Sequence, residues 1–145
     1  MKLIYISRLC FFLLMISLDV LGEQEHDRQF YIKRANVAGE YYGIFFLAKK
    51  YVASECPIKI NKDWTNLALA KKNILSKFPT EYHLELTQTF NQMNSELETI
   101  WKDIESLIRK RRLEGASCKA IVDIGFWPLF DKAVNNWNAE LSRNY

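Results

Sequence analysis

The 145-residue sequence has little of what loops, metal sites and catalytic clusters require. It contains only 5 Gly and 3 Pro, which argues against a loop-rich or many-turned β architecture. With 3 Cys and 2 His, no standard four-ligand zinc pattern can be assembled. The formal net charge of +3 is too small to indicate a nucleic-acid-binding protein. We therefore expect no metal, no cofactor and no nucleic-acid partner.

The first 22 residues have the three-part organisation of a secretory signal peptide. Lys2 and Arg8 supply the positive region, residues 9–18 form an uncharged apolar run, and Gly22 precedes a polar stretch. The run of ten residues is shorter than the roughly 20 that span a bilayer. We expect cleavage after Gly22, a mature domain over 23–145 in the periplasm or secreted, and no membrane contact after cleavage. An uncleaved anchor is the alternative.

Removal of the signal peptide takes Cys10 away and leaves Cys56 and Cys118. Two cysteines in an exported domain form a pair by default. A catalytic thiol would need an activating base, and neither cysteine has a histidine within twenty residues in the sequence. We predict a Cys56–Cys118 disulfide, which closes a loop of 62 residues and contributes roughly 4 kcal/mol.

Apolar spacing predicts a first helix over about 27–54, with an apolar surface almost all round its middle. Such a helix is central in a bundle, or it holds a partner as well as the core. Ala35, Gly39 and Gly43 are spaced by four and form a smooth stripe. Close packing of a neighbouring helix is the simpler interpretation of this stripe, and approach of a ligand is the alternative.

A second helix is predicted over about 64–78 with Asp63 as its N-cap, and a third helix begins after an N-cap at Thr80. The third helix carries a heptad pattern; its positions are Leu86, Phe90, Met93, Leu97, Ile100, Ile104 and Leu107. This seam serves either intramolecular packing or a homodimer. Ser117 caps a fourth helix, which Pro128 kinks or divides. The predicted fold is all-α, a single-domain bundle of four to five helices with one disulfide.

Few residues offer catalytic chemistry. His26 and His83 have no nucleophile elbow to act with, and no metalloprotease or phosphate-binding motif occurs. Glu40 lies among aromatic residues, where a carboxylate can act as a general acid. A solvated or ion-paired carboxylate is the simpler interpretation. Contact with a partner is a further one, and we favour it over catalysis.

Two further segments have competing interpretations. The basic run 109–112 ends the third helix, so solvated charges that complement the helix dipole explain it more simply than a nucleic-acid or anionic-lipid site. Around Pro128, residues 126–130 place four large apolar side chains beside a helix breaker. Core packing of a kinked helix is one explanation, and exposure of an aromatic ring such as Trp127 as a partner anchor is the other.

The signal peptide, the helical pattern, the disulfide and the aromatic-rich surfaces resemble the small periplasmic immunity proteins that neutralise cell-wall-degrading effectors of type VI secretion systems. The resemblance is architectural and covers the mature chain. It implies a non-enzymatic inhibitor, often dimeric, that plugs an effector's cleft. We predict that the partner contacts include Glu40, Tyr41, Tyr42, Phe46 and Trp127. The alternatives are a small exported peptidoglycan hydrolase that uses Glu40 and a secreted, host-directed helical effector.

Overall fold

Five α-helices make up most of residues 25–143, the part of the chain that the computed structural model describes. They are α1 (Glu25–Val52), α2 (Leu67–Leu75), α3 (His83–Leu113), α4 (Cys118–Gly125) and α5 (Trp127–Leu141), with 3-10 turns at Lys62–Thr65 and Thr80–Tyr82. No strand occurs within this range, so the predicted all-α class is confirmed. The predicted signal peptide lies outside the described residues.

Helix α1 is the centre of the bundle, because it packs against α2, α3, α5 and the first 3-10 turn. Tyr42 stacks on Phe90 and Tyr51 meets Trp101 edge-on, with ring centroids 4.7 and 5.2 Å apart. Residue numbers increase together along these pairs, so α1 and α3 run parallel. All residues from 42 to 48 are buried, which confirms the central position predicted from their apolar pattern.

Helix α5 runs antiparallel to α1. The Tyr41 and Trp137 rings stack at 5.4 Å near the middle of the bundle, and the Tyr51 and Phe126 rings meet at 5.2 Å near its end. The chain therefore follows an up-down-up-down course, and α4 lies at the end where α1 and α3 finish.

The disulfide fastens that end. Cys56, which is fully buried, is bonded to Cys118, with 4.9 Å between their Cα atoms. The predicted pairing is confirmed. It joins the segment after α1 to the first residue of α4.

Burial along α3 departs from the predicted heptad. The buried positions are Leu86, Phe90, Met93, Leu97, Trp101 and Ile108, while Leu107 is 43% exposed. Leu86, Leu97 and Ile108 are eleven residues apart, which is close to three turns of a straight helix. A strict heptad drifts around such a helix. Ile104 still packs against the core, but at the last position Leu107 is exposed and Ile108 is buried in its place, so the predicted heptad is wrong at its end.

Local signals for helix ends had mixed success. Ser117 Oγ accepts a hydrogen bond from the Ala120 amide at 3.1 Å, as expected of an N-cap. Helix α4 ends just before Phe126, which lies two residues before Pro128, and α5 then begins. Both predictions are confirmed. The predicted cap at Asp63 is wrong, because Asn66 Oδ1 accepts from the Leu69 amide at 3.0 Å and starts α2 there.

The predicted cap at Thr80 is also wrong. Thr80 begins a 3-10 turn, and α3 follows at His83 without a side-chain cap. The prediction placed the start of α3 at the first polar residue after Pro79, but the chain makes one tighter turn first. Tertiary contacts of this turn explain the delay, because the Tyr82 ring packs 5.0 Å from that of Tyr31 on α1.

Candidate functional site

Four half-buried aromatic rings form a connected row along one side of the bundle. We call Tyr41, Trp64, Phe130 and Trp127 the aromatic row. Neighbouring centroids are 6.0 Å apart between Tyr41 and Trp64, 4.6 Å between Trp64 and Phe130, and 5.6 Å between Phe130 and Trp127. These spacings are typical of interacting aromatic pairs. Each ring therefore combines fixed packing with surface that remains accessible.

Three elements bring the row together. Tyr41 belongs to α1 and stacks on the buried Trp137 of α5, with ring planes 19° apart. Trp64 is held in the first 3-10 turn, which Asn61 caps, and its ring lies 4.9 Å from that of the buried Phe45. The exposed edges of the row are thus supported from within by buried aromatic rings.

The junction between α4 and α5 sets the other end of the row. Phe126 is fully buried, whereas Trp127 and Phe130 are half-buried. The Phe126 and Trp127 rings meet edge to face at 5.0 Å. The break before Pro128 therefore divides this aromatic segment, with Phe126 in the core and Trp127 at the surface. Trp127 remains a predicted partner contact.

The structure corrects two of the predicted partner contacts. Tyr42 is fully buried, and its hydroxyl donates a hydrogen bond to Asn94 Oδ1 at 2.9 Å. Phe46 is buried as well, with the Lys50 ammonium 5.3 Å from its ring centroid. Both side chains face inward because α1 has packing partners on several sides. Neither side chain is available to a partner in this fold.

Glu40 is half-buried and close to α5. Asn136 Nδ2 donates a hydrogen bond to Glu40 Oε2 at 3.3 Å. Successive residues of a helix point about 100° apart, so Glu40 and Tyr41 use different contacts on α5 although they are adjacent in sequence. Glu40 remains a predicted partner contact.

Burial raises the pKa of the Tyr41 hydroxyl above its ordinary value. Burial also raises the pKa of Tyr42, and the hydrogen bond with Asn94 opposes that effect. Both phenols are therefore protonated and neutral at physiological pH. Tyr41 accordingly presents an apolar ring and a neutral hydroxyl, a combination suited to binding.

His83 and the two cysteines of the described range have structural contacts. His83 Nε2 lies 3.0 Å from the Phe78 carbonyl oxygen, and Cys56 and Cys118 are bonded to each other. Within residues 25–143, no group of three or more His, Cys, Asp or Glu side chains is arranged to hold a metal ion.

A buried charge cluster escaped the sequence interpretation. Glu140 is only 3% exposed, and its carboxylate lies 4.0 Å from Arg34 Nε and 3.4 Å from Arg143 Nη1. Arg34 Nη1 also donates to the Lys77 carbonyl at 3.3 Å, and its guanidinium lies 4.4 Å from the Phe30 ring centroid. Arg34 thereby links three parts of the chain. The one hint in the sequence is that Arg34 stands at the start of the helical spacing that continues through the apolar residues Ala38 and Tyr41.

Sequence reasoning also did not single out Trp64 and Phe130 as site residues. Trp64 is only the first residue of the predicted second helix, and Phe130 belongs to the segment 126–130, for which the sequence leaves both core packing and exposure open. No sequence signal distinguishes a buried ring from a half-buried one at such positions. Their partial exposure follows from the separate 3-10 turn and from the break between α4 and α5. The site could be recognised only once those elements were packed together.

No protein-family model, curated protein sequence or solved structure matches this chain. The functional argument therefore depends on its own residues.

Proposed function

We propose that this chain is an exported, non-enzymatic protein-binding module that inhibits a toxin or hydrolase by occluding its cleft. The observation that carries the proposal is the aromatic row, with four half-buried rings in continuous contact. Trp and Tyr are enriched among the residues that dominate protein-protein binding energy. A cell-wall-degrading enzyme is the partner class that the architectural resemblance favours.

The row is organised before binding. Trp137, Phe45 and Phe126 are buried and contact it from the inside. Because these contacts already restrict the rings, a partner loses less conformational entropy in fixing them. A rigid aromatic surface of this kind suits an inhibitor that occupies an enzyme's cleft.

The disulfide is compatible with the proposed route of export. Disulfides persist in oxidising compartments such as the periplasm and the extracellular space, and Cys56–Cys118 is such a bond. Among the described helices, none has both the length and the apolarity needed to cross a membrane. A periplasmic or secreted location and a dimeric state are parts of the proposal.

An inhibition assay with variants of the aromatic row tests the proposal. The exported protein is immobilised, proteins from the envelope of its own organism are captured, and the peptidoglycan-cleaving activity of each captured protein is measured with increasing inhibitor. We expect inhibition that saturates at a fixed stoichiometry. Trp127→Ala should weaken it at least about tenfold, roughly 1.4 kcal/mol.

Leu84→Ala is the matched control, since Leu84 is 71% exposed on α3 and lies outside the row. It should leave inhibition unchanged, and circular dichroism should show that both variants keep their helices. Equal inhibition by wild type and Trp127→Ala would reject the row as the site. If the wild-type protein itself cleaves peptidoglycan and Glu40→Gln loses that activity, the hydrolase alternative replaces this proposal.

A further inference from the structure

Exposed apolar side chains concentrate at one end of the bundle. We define the disulfide end as the last turn of α1, the last two turns of α3, the turn 114–117 and α4. Of the five large apolar side chains classed as exposed within residues 25–143, four lie there: Val52, Leu107, Leu113 and Ile124. Leu113 and Ile124 are 85% and 80% exposed. Single exposed apolar residues are ordinary, but this clustering at one end is not.

The same end is basic. Residues 107–125 contain five cations and two carboxylates, a net charge of +3. The whole chain also has a formal net charge of +3, so the remaining residues sum to zero. Four of the cations are the run 109–112, and the fifth is Lys119. Positive charge and exposed apolar surface therefore coincide.

Three of these cations form ion pairs with solvent-exposed carboxylates, and Arg112 Nη1 donates a hydrogen bond to the Ala116 carbonyl at 2.8 Å. Arg109 pairs with Glu55 and Arg111 with Glu114, both at 3.4 Å, and at least 46% of each of these side chains is exposed. Lys119 pairs with Asp123. Exposed ion pairs contribute only about 0–1 kcal/mol. They can therefore be exchanged for contacts with external anions at little cost.

We propose that the disulfide end docks on an anionic phospholipid surface, with its cations among the headgroups and Leu113 and Ile124 entering the acyl boundary. This inference goes beyond the proposed inhibitory function. It also replaces the expectation, made from the sequence alone, that the processed protein does not contact membranes. That expectation considered the basic run without the exposed apolar side chains at the same end of the bundle.

The types of exposed side chain favour lipid over an acidic protein. Trp101 and Phe126 are buried at this end, whereas the residues that stand out most are aliphatic. Protein-binding hot spots are enriched in aromatic residues, while basic segments with protruding apolar side chains are typical of proteins that lie on membrane interfaces. No described helix could span a membrane, so the expected mode of binding is peripheral.

The fold keeps Ile124 pointing outward. A Cβ atom on Gly125 would lie 3.2 Å from the Tyr51 hydroxyl, so α4 approaches α1 closely at that point. The disulfide holds the other end of α4 to the segment after α1. Fixed at both ends, α4 presents Ile124 without the entropy loss that a flexible loop would suffer on docking.

Co-sedimentation with vesicles tests the proposal. The exported protein, with its disulfide intact, is mixed with phosphatidylcholine vesicles or with vesicles that also contain phosphatidylglycerol. We expect sedimentation only with the anionic vesicles, and its loss as salt screens the charges. The pair Leu113→Ser and Ile124→Ser should lower the partition coefficient at least about tenfold. Leu84→Ser, at a leucine that is 71% exposed and lies outside the disulfide end, is the matched control and should have no effect.

Charge variants complete the test. Lys110→Gln and Arg112→Gln should each lower binding about fivefold, the factor that corresponds to about 1 kcal/mol per cation at an anionic surface. Equal binding to neutral vesicles, no binding to either vesicle, or the same loss with Leu84→Ser would each overturn the proposal. Binding that responds to the charge variants but not to Leu113→Ser and Ile124→Ser would overturn the insertion of the two side chains. None of these outcomes bears on inhibition by the aromatic row.

Discussion

Different interactions stabilise the two ends of the bundle. At the disulfide end, a covalent bond and tightly packed rings join α1 to α3 and α4. At the opposite end, which we call the charge-held end, Arg34 of α1 meets Glu140 of α5 and the Lys77 carbonyl. The first end is stabilised through constraint of the unfolded chain. The second depends on compensation of charge in a buried place.

Some buried polar atoms at the charge-held end have no hydrogen-bond partner. Arg34 Nε and Glu140 Oε1 are buried without a hydrogen-bond partner, and Asn36 Oδ1 is a third such atom. A cavity of about 10 Å³ lies nearby between Tyr31 and Phe78, about the volume that one water molecule needs. The 4.0 Å separation of Arg34 and Glu140 is longer than a hydrogen bond. We therefore expect the charge-held end to be the less firmly packed of the two.

Removal of the disulfide should have the largest effect. Cys56→Ser with Cys118→Ser frees a loop of 62 residues, so the free energy of unfolding should fall by about 4 kcal/mol. Urea unfolding of the oxidised wild type and of the double variant measures this difference. Reduced wild-type protein is the control and should match the variant. A loss below about 1 kcal/mol would show that packing alone holds this end.

The buried ion pair should have the next largest effect. Glu140→Leu leaves Arg34 buried without its counter-charge, and breaking such a pair is expected to destabilise the protein by about 3 kcal/mol. Adding Arg34→Met removes the stranded charge, so the double variant should recover most of that loss. Urea unfolding of both single variants and the double variant gives the coupling between the two residues. Additive losses would show that packing, and not charge, explains the sensitivity of this end.

The two ends also differ in how far the sequence predicts them. At the disulfide end the signals are local or few in number: two remaining cysteines, Ser117 as a cap and Pro128 as a break. All three predictions are confirmed. The cap and the break depend on chemistry within a few residues, and the disulfide follows because only two cysteines are left to pair. At the charge-held end, the contacts of Arg34 with Glu140 join residues 106 apart in the chain. Nothing local indicates such a pair.

The same distinction explains the outcome for α3 and for the candidate site. Helical periodicity identifies the apolar positions of α3, but it does not tell which of two adjacent apolar residues is buried. The heptad therefore included Leu107, whereas the structure buries Ile108. Tyr42 was predicted at the surface because the number of helices around α1 was unknown. Half-buried positions such as Trp64 depend on where three elements meet. Tertiary packing decides these cases, and the sequence alone does not contain that geometry in readable form.

The smallest expected effect concerns Glu85, which lines the cavity at the charge-held end. Burial raises the pKa of this carboxyl, and the nearby Arg28 partly opposes the effect. A raised pKa in the native state means that the folded protein holds the proton more tightly than the unfolded chain does. Its contribution to stability therefore declines as the pH rises from the unfolded value, about 4.3, through the native pKa, and it is unfavourable at neutral pH.

Glu85→Gln removes this unfavourable contribution. The variant should be more stable than wild type at pH 7, by no more than about 0.5 kcal/mol, and equally stable at pH 3, where Glu85 is protonated in both states. Thermal unfolding at the two pH values measures the difference. Glu81→Gln makes the same charge change at an exposed position of the adjacent turn, so it controls for net charge. A gain that persists at pH 3, or one that Glu81→Gln reproduces, would show that desolvation of Glu85 does not weaken the charge-held end.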